Sequence, residues 1–155
     1  MIDPHLKLIK SLNDHKVDYL LIGGMLAIAY GVPRTTKDID FFIRATEENA
    51  QKILEALQEL GFGTSHLITA EEIAKTEITI LKDYLRVDLL TEVKGLEFDK
   101  AFAHKEIRKI NDISIFVLTL EDLILSKKAA GRPGDLEDVC LLEKIQQKIK
   151  ENKKN

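Results

Sequence analysis

Asp38 and Asp40 stand two residues apart in "TTKDIDFFIR", at the start of a run that is otherwise apolar. Side chains alternate faces along a strand. An extended segment beginning by Arg34 would therefore project Arg34, Thr36, Asp38 and Asp40 to one side and Ile39, Phe41 and Ile43 to the other. Two carboxylates on one strand face repel each other, and a divalent cation between them removes that cost. A third acid, Asp88 in "YLRVDLLTE", also lies inside an apolar strand, between Val87 and Leu89. Three hard oxygen ligands suit Mg²⁺, or Mn²⁺ in its place, with the remaining positions taken by water and substrate phosphates. The competing account of each acid taken alone is a strand-end carboxylate that is solvated or paired with a lysine.

Gly23 and Gly24 close "LLIGG" and open "MLAIAYG", a strand, a glycine turn and a helix start. Such a turn lets backbone N–H groups approach an anion, and the helix dipole favours negative charge there. Alone, a pair of glycines is equally a structural turn. Positive charge comes later, in "TLEDLILSKKAAGRP". Leu120, Leu123 and Ile124 form an apolar stripe whose next position at helical spacing is Lys127, with Lys128 on the flank. Lys127 either lays its stem over apolar surface or points its ammonium at phosphate. Arg132 either assists or pairs with the acids of "DLED", of which Asp135 reads as a helix cap. Cys140 lies in an apolar helical run and reads as core, and the four histidines show neither metal-ligand spacing nor a nucleophile partner.

The elements that must hold these groups are legible in outline. Asp3 and Pro4 open a helix carrying Leu6, Ile9 and Leu12. "VDYLLIGG" reads as a strand and "MLAIAYG" as a short helix closed by Gly31. Thr46 caps "EENAQKILEALQEL", and Thr69 with Glu72 forms a capping box for a short helix. "EITILKDYLRVDLL" and "KEIRKINDISIFVL" read as hairpins turning at Lys82–Asp83 and Asn111–Asp112, with a looser segment, "GLEFDKAFAH", between them. Two capped helices joined by "RPG" follow. Helices and strands mix without strict alternation, which predicts an α+β domain with a mixed or antiparallel sheet flanked by helices.

With 155 residues, 45% of them hydrophobic, the chain reads as one domain over 1–155, with a core at about 15–118, a C-terminal helical part at about 119–150 and a frayed tail over 151–155. Its 23 basic and 26 acidic residues, net charge of −3, give no global basic field of the kind a dedicated nucleic-acid binder carries. A single cysteine excludes an internal disulfide and a multi-cysteine zinc site. The absence of a membrane-spanning apolar run or a signal peptide gives a cytoplasmic expectation.

The order "LLIGG", short helix, "RTTKDID", then "LRVDLL" resembles the nucleotidyltransferase superfamily typified by DNA polymerase beta. Within it the chain is most similar to small prokaryotic nucleotidyltransferase-like proteins related to abortive-infection and toxin–antitoxin transferases. "R-x-T-x-D-I-D" at Arg34, Thr36, Asp38 and Asp40 and "KKAAGRPGDLEDV" at residues 127 to 139 are the matching pieces. The resemblance implies that Asp38, Asp40 and Asp88 bind Mg²⁺ or Mn²⁺ and carry catalysis, with Asp88 helping to activate an acceptor hydroxyl. It implies that Gly23, Gly24, Arg34, Thr36, Lys127 and Arg132 hold the nucleotide. Gly24 stands where a serine often follows the first glycine in active relatives. The implied reaction moves a nucleoside monophosphate from an NTP to a hydroxyl of an RNA, a protein or a small molecule. The alternative is a non-catalytic nucleotide- or partner-binding module, with an antitoxin-like partner or a second copy of the chain.

Overall fold

The computed structural model describes residues 3–33 and 35–154. Helix α1 (Pro4–Asp14) starts where the Asp3 carboxylate accepts the His5 N–H at 2.7 Å, and Pro4 supplies a first-turn position that needs no donor. Strand β1 (Tyr19–Ile22) is buried throughout and runs straight into α2 (Gly23–Tyr30). Strand β2 (Asp38–Ile43) leads to α3 (Glu47–Glu59), capped by Thr46. A 3₁₀ turn and α4 (Ala70–Lys75), with its Thr69–Glu72 capping box complete, precede the hairpin β3 (Ile78–Lys82) and β4 (Arg86–Leu90). Helix α5 (Phe98–His104) and the hairpin β5 (Glu106–Ile110) and β6 (Ile113–Val117) follow, then α6 (Leu120–Ala130) and α7 (Pro133–Lys154).

The strands form one mixed sheet in the order β3-β4-β2-β1-β6-β5. The hairpins and the β1–β2 pair are antiparallel, whereas β2–β4 and β1–β6 are parallel. The α+β expectation holds. In β2 the polar half is confined to the first three residues: Ile39 and Phe41 are buried on one face, and from Phe41 onward both faces are covered. Phe42, on the same face as the two acids, packs edge-on against Phe98 of α5. The strand thus begins at an open end of the sheet and finishes in the core.

Three sequence expectations change. The segment read as loose contains α5, whose Phe98 and Phe102 stack one helical turn apart. The expected frayed tail is helical to Lys154, with Gln147 and Glu151 hydrogen-bonded across a turn. Cys140 is exposed rather than core. The Asn111–Asp112 turn is as expected, and its φ values of 50° and 64° are those of the tight turn that suits a twisted hairpin. Among the described residues, no helix is long and apolar enough to cross a membrane.

Candidate active site

Parallel pairing of β2 with β4 sets Asp40 directly beside Asp88, and Asp38 beside Arg86. On the other flank of β2, Ile22 lies opposite Asp40, so the next residue, Gly23, meets the Asp40 carboxylate. A β-carbon built on Gly23 would lie 2.1 Å from Asp40 Oδ2, and its φ of 74° is in the left-handed region. Only glycine suits both demands. The three acids are therefore brought together by register, from segments nearly fifty residues apart.

Burial raises the Asp40 carboxyl to about 6 from 3.8. The charge of Asp88 and its hydrogen bond, then the charge of Asp38, push the same way, against a smaller pull from Arg86. Arg86 answers this crowding. Its Nε and a terminal N–H donate to the two oxygens of Asp88 at 3.0 and 3.2 Å, and its Nε lies 3.6 Å from Asp38 Oδ2. The hydrogen bonds to Asp88 lead in holding its guanidinium above the ordinary arginine value. Arg86 was not singled out in the sequence, although alternation along "RVD" places it on the face of Asp88.

Of this group Gly23 and Asp40 line a cavity of about 340 Å³, which is bounded also by Leu90, Lys94, Lys127 and Arg132 among others. Lys127 faces it, as the stripe predicts, but its ammonium is committed: Nζ lies 2.8 Å from Asp138 Oδ2 and 3.8 Å from Asp135 Oδ1, all three side chains being buried. Arg132 is mostly exposed and donates from Nε to Asp135 at 2.6 Å. The Asp135 carboxyl is pushed up by burial, yet the hydrogen bond and charge of Arg132, then the charge of Lys127, outweigh this and hold it below its ordinary value. Asp135 and Asp138, one read as a cap and the other given no role, are thus the counter-ions of Lys127. Thr36 lies outside β2, where its hydroxyl accepts the Asp38 N–H at 3.4 Å. Gly24 follows in the first turn of α2. Arg34 falls outside the described residues. Lys94, unmarked in the sequence, is a further cation on the cavity wall.

A mixed sheet that sets a glycine turn against an in-register pair of strand aspartates is that of a nucleotidyltransferase-like domain. The chain belongs to the family described as "Nucleotidyl transferase of unknown function (DUF2204)", whose model matches residues 3–155. Its fold is similar to that of TM1012 from Thermotoga maritima, provisionally assigned as a nucleotidyltransferase. The two share 22% identity over 96% of each chain, with a TM-score of 0.53. No curated protein matches the sequence.

Proposed function

We propose that the chain is a metal-dependent nucleotidyltransferase that moves a nucleoside monophosphate from an NTP to an acceptor hydroxyl and releases pyrophosphate. The observation that carries this reading is the Asp40–Asp88 pair set against Gly23 at the head of α2. Asp38, Asp40 and Asp88 are a set of hard oxygen donors, crowded enough to raise one of them, and this fits Mg²⁺ or Mn²⁺. A bound divalent ion would supply Lewis acidity at the phosphoryl oxygens and lower the pKa of a coordinated hydroxyl.

The protein's own contribution is positional. The first turn of α2 offers backbone N–H groups to the phosphates beside the acids. Arg132 and Lys94 are the exposed cations of the cavity for the same anion, whereas Lys127 is held by Asp138 and Asp135 and shapes the wall. Asp88 accepts the acceptor's proton as its oxygen forms the new bond to the α-phosphorus, and the bond to the β-phosphate oxygen breaks. The acceptor itself, whether RNA, protein or small molecule, is left to experiment.

Incubation of the protein with each α-labelled NTP, Mg²⁺ and cell extract should transfer label to one acceptor. Asp88→Asn should bind Mg-NTP within a few-fold of the parent yet transfer far more slowly. Nucleotide binding without label transfer in any extract would favour the non-catalytic module. Loss of affinity and rate in equal proportion would move Asp88 to the nucleotide-binding group.

A further inference from the structure

Arg86 reaches both outer acids of the triad at once. It stands opposite Asp38 in the β2–β4 register and two residues before Asp88, donates to both Asp88 oxygens at 3.0 and 3.2 Å, and places Nε 3.6 Å from Asp38 Oδ2. A guanidinium spreads one charge over a planar fork and spaces its acceptors apart, whereas a small divalent ion draws carboxylate oxygens to a single centre. The two arrangements compete at Asp88, where each oxygen already takes an Arg86 N–H. Among the described residues no three His, Cys, Asp or Glu side chains are grouped to hold a metal ion.

We propose that Arg86 is a resident counter-ion that a divalent cation must displace, so that metal loading is an exchange of one cation for another at Asp38 and Asp88. The proposal rests on the metal-binding reading above. The exchange is open to the side chain: Arg86 is about a third exposed, at 36%, and lies at the first position of β4 beside the hairpin turn. A doubly charged ion also answers three carboxylates better than one guanidinium does. In the metal-free chain Arg86 offsets part of the repulsion among the acids. It thereby also sets the metal concentration at which the site fills.

The test is Mn²⁺ titration without nucleotide, read by the electron paramagnetic resonance signal of free Mn²⁺, on the parent, Arg86→Gln, Arg86→Lys and Asp38→Asn. Thermal melts in EDTA accompany each titration. Arg86→Gln should bind Mn²⁺ severalfold more tightly than the parent, melt lower in EDTA and gain more in melting temperature when Mn²⁺ is added. Should Arg86→Gln fail to fold, Arg86→Lys carries the test: a lysine cannot hold both Asp88 oxygens, so it too should bind Mn²⁺ more tightly than the parent. Equal or weaker Mn²⁺ binding by the Arg86 variant, with Asp38→Asn defective, overturns the exchange and leaves the metal site standing. No Mn²⁺ uptake by the parent or by either Arg86 variant overturns both.

Discussion

At the starts of β2 and β4 three carboxylates, Asp38, Asp40 and Asp88, share the guanidinium of Arg86, whereas between α6 and α7 Lys127 and Arg132 are matched by Asp135 and Asp138. The first cluster sits at strand starts and is partly open, with Asp38 43% and Asp88 14% exposed at the side chain. The second joins α6 to α7, and its Lys127–Asp138 pair is closed, at 8% and 5%, with only Arg132 reaching the surface. Charge left unbalanced destabilises a fold unless a ligand supplies what is missing, whereas balanced buried charge holds elements in one arrangement. The acidic cluster therefore has the character of a site and the mixed cluster that of a clasp. The two are close enough for Asp40 to act on the Arg132 guanidinium.

The largest effect should come from breaking the clasp. Lys127→Met removes the ammonium 2.8 Å from the buried Asp138 carboxylate, and losing one partner of a buried pair costs about 3 to 5 kcal/mol. Thermal denaturation should show a fall in melting temperature of roughly 10 °C. Lys127→Met combined with Asp138→Leu should recover much of it, since an apolar pair replaces an ionic one. Lys128→Met, which loses only an exposed pair with Glu143, should shift stability by less than about 1 kcal/mol. An unshifted melt for Lys127→Met would return Lys127 to the group that serves the nucleotide alone.

Breaking the support of the acidic cluster comes next. Gly23→Ala forces a left-handed φ on alanine and drives a methyl into the Asp40 carboxylate, 2.1 Å from its Oδ2. The backbone strain alone costs about 1 to 3 kcal/mol. We expect lower stability together with loss of the melting-temperature gain on Mn²⁺. A Gly23→Ala protein with parental stability and Mn²⁺ response would remove the glycine turn from the site.

The sequence carried the first cluster further than the second, for physical reasons. Strand alternation is local, so Asp38 and Asp40 could be placed on one face and Asp88 marked as out of place in its strand. The register that sets Asp40 beside Asp88 depends on a parallel pairing between distant segments and has no local signal. Arg86 has one, the two-residue spacing to Asp88, which alternation puts on the same strand face. Lys127 was legible as inward-facing from its helical stripe. Its partners lie on the next helix, and only the fold-back of α7 onto α6 makes counter-ions of Asp135, which reads as a cap, and of Asp138. Cys140 went astray because "VCLL" is apolar all round, yet α7 covers only the Val139 and Leu142 side. Helix α5 was missed because its N-cap, Glu97, makes no side-chain capping bond and leaves no start signal.

The smallest effect, and the one that separates the clusters most directly, is in pH. Asp40 has its folded pKa raised to about 6 from 3.8, so between these values the folded chain holds a proton that the unfolded chain has lost. Its contribution to stability is therefore greatest below pH 3.8, falls as the pH rises through 6, and stays unfavourable above that. Asp135, with its pKa lowered, behaves oppositely: its contribution is full above 3.8 and is lost only as the pH falls through its folded value. Between pH 4 and 6.5 the slope thus reports Asp40. Asp40→Asn in EDTA should flatten that slope and gain about 1 to 2 kcal/mol at pH 7.5, a figure reduced for the water that reaches the site. Melting curves of parent and variant across this range decide it. A parental slope in Asp40→Asn, or a variant less stable than the parent at pH 7.5, would mean that Arg86 already balances the three acids and that the acidic cluster is as closed as the clasp.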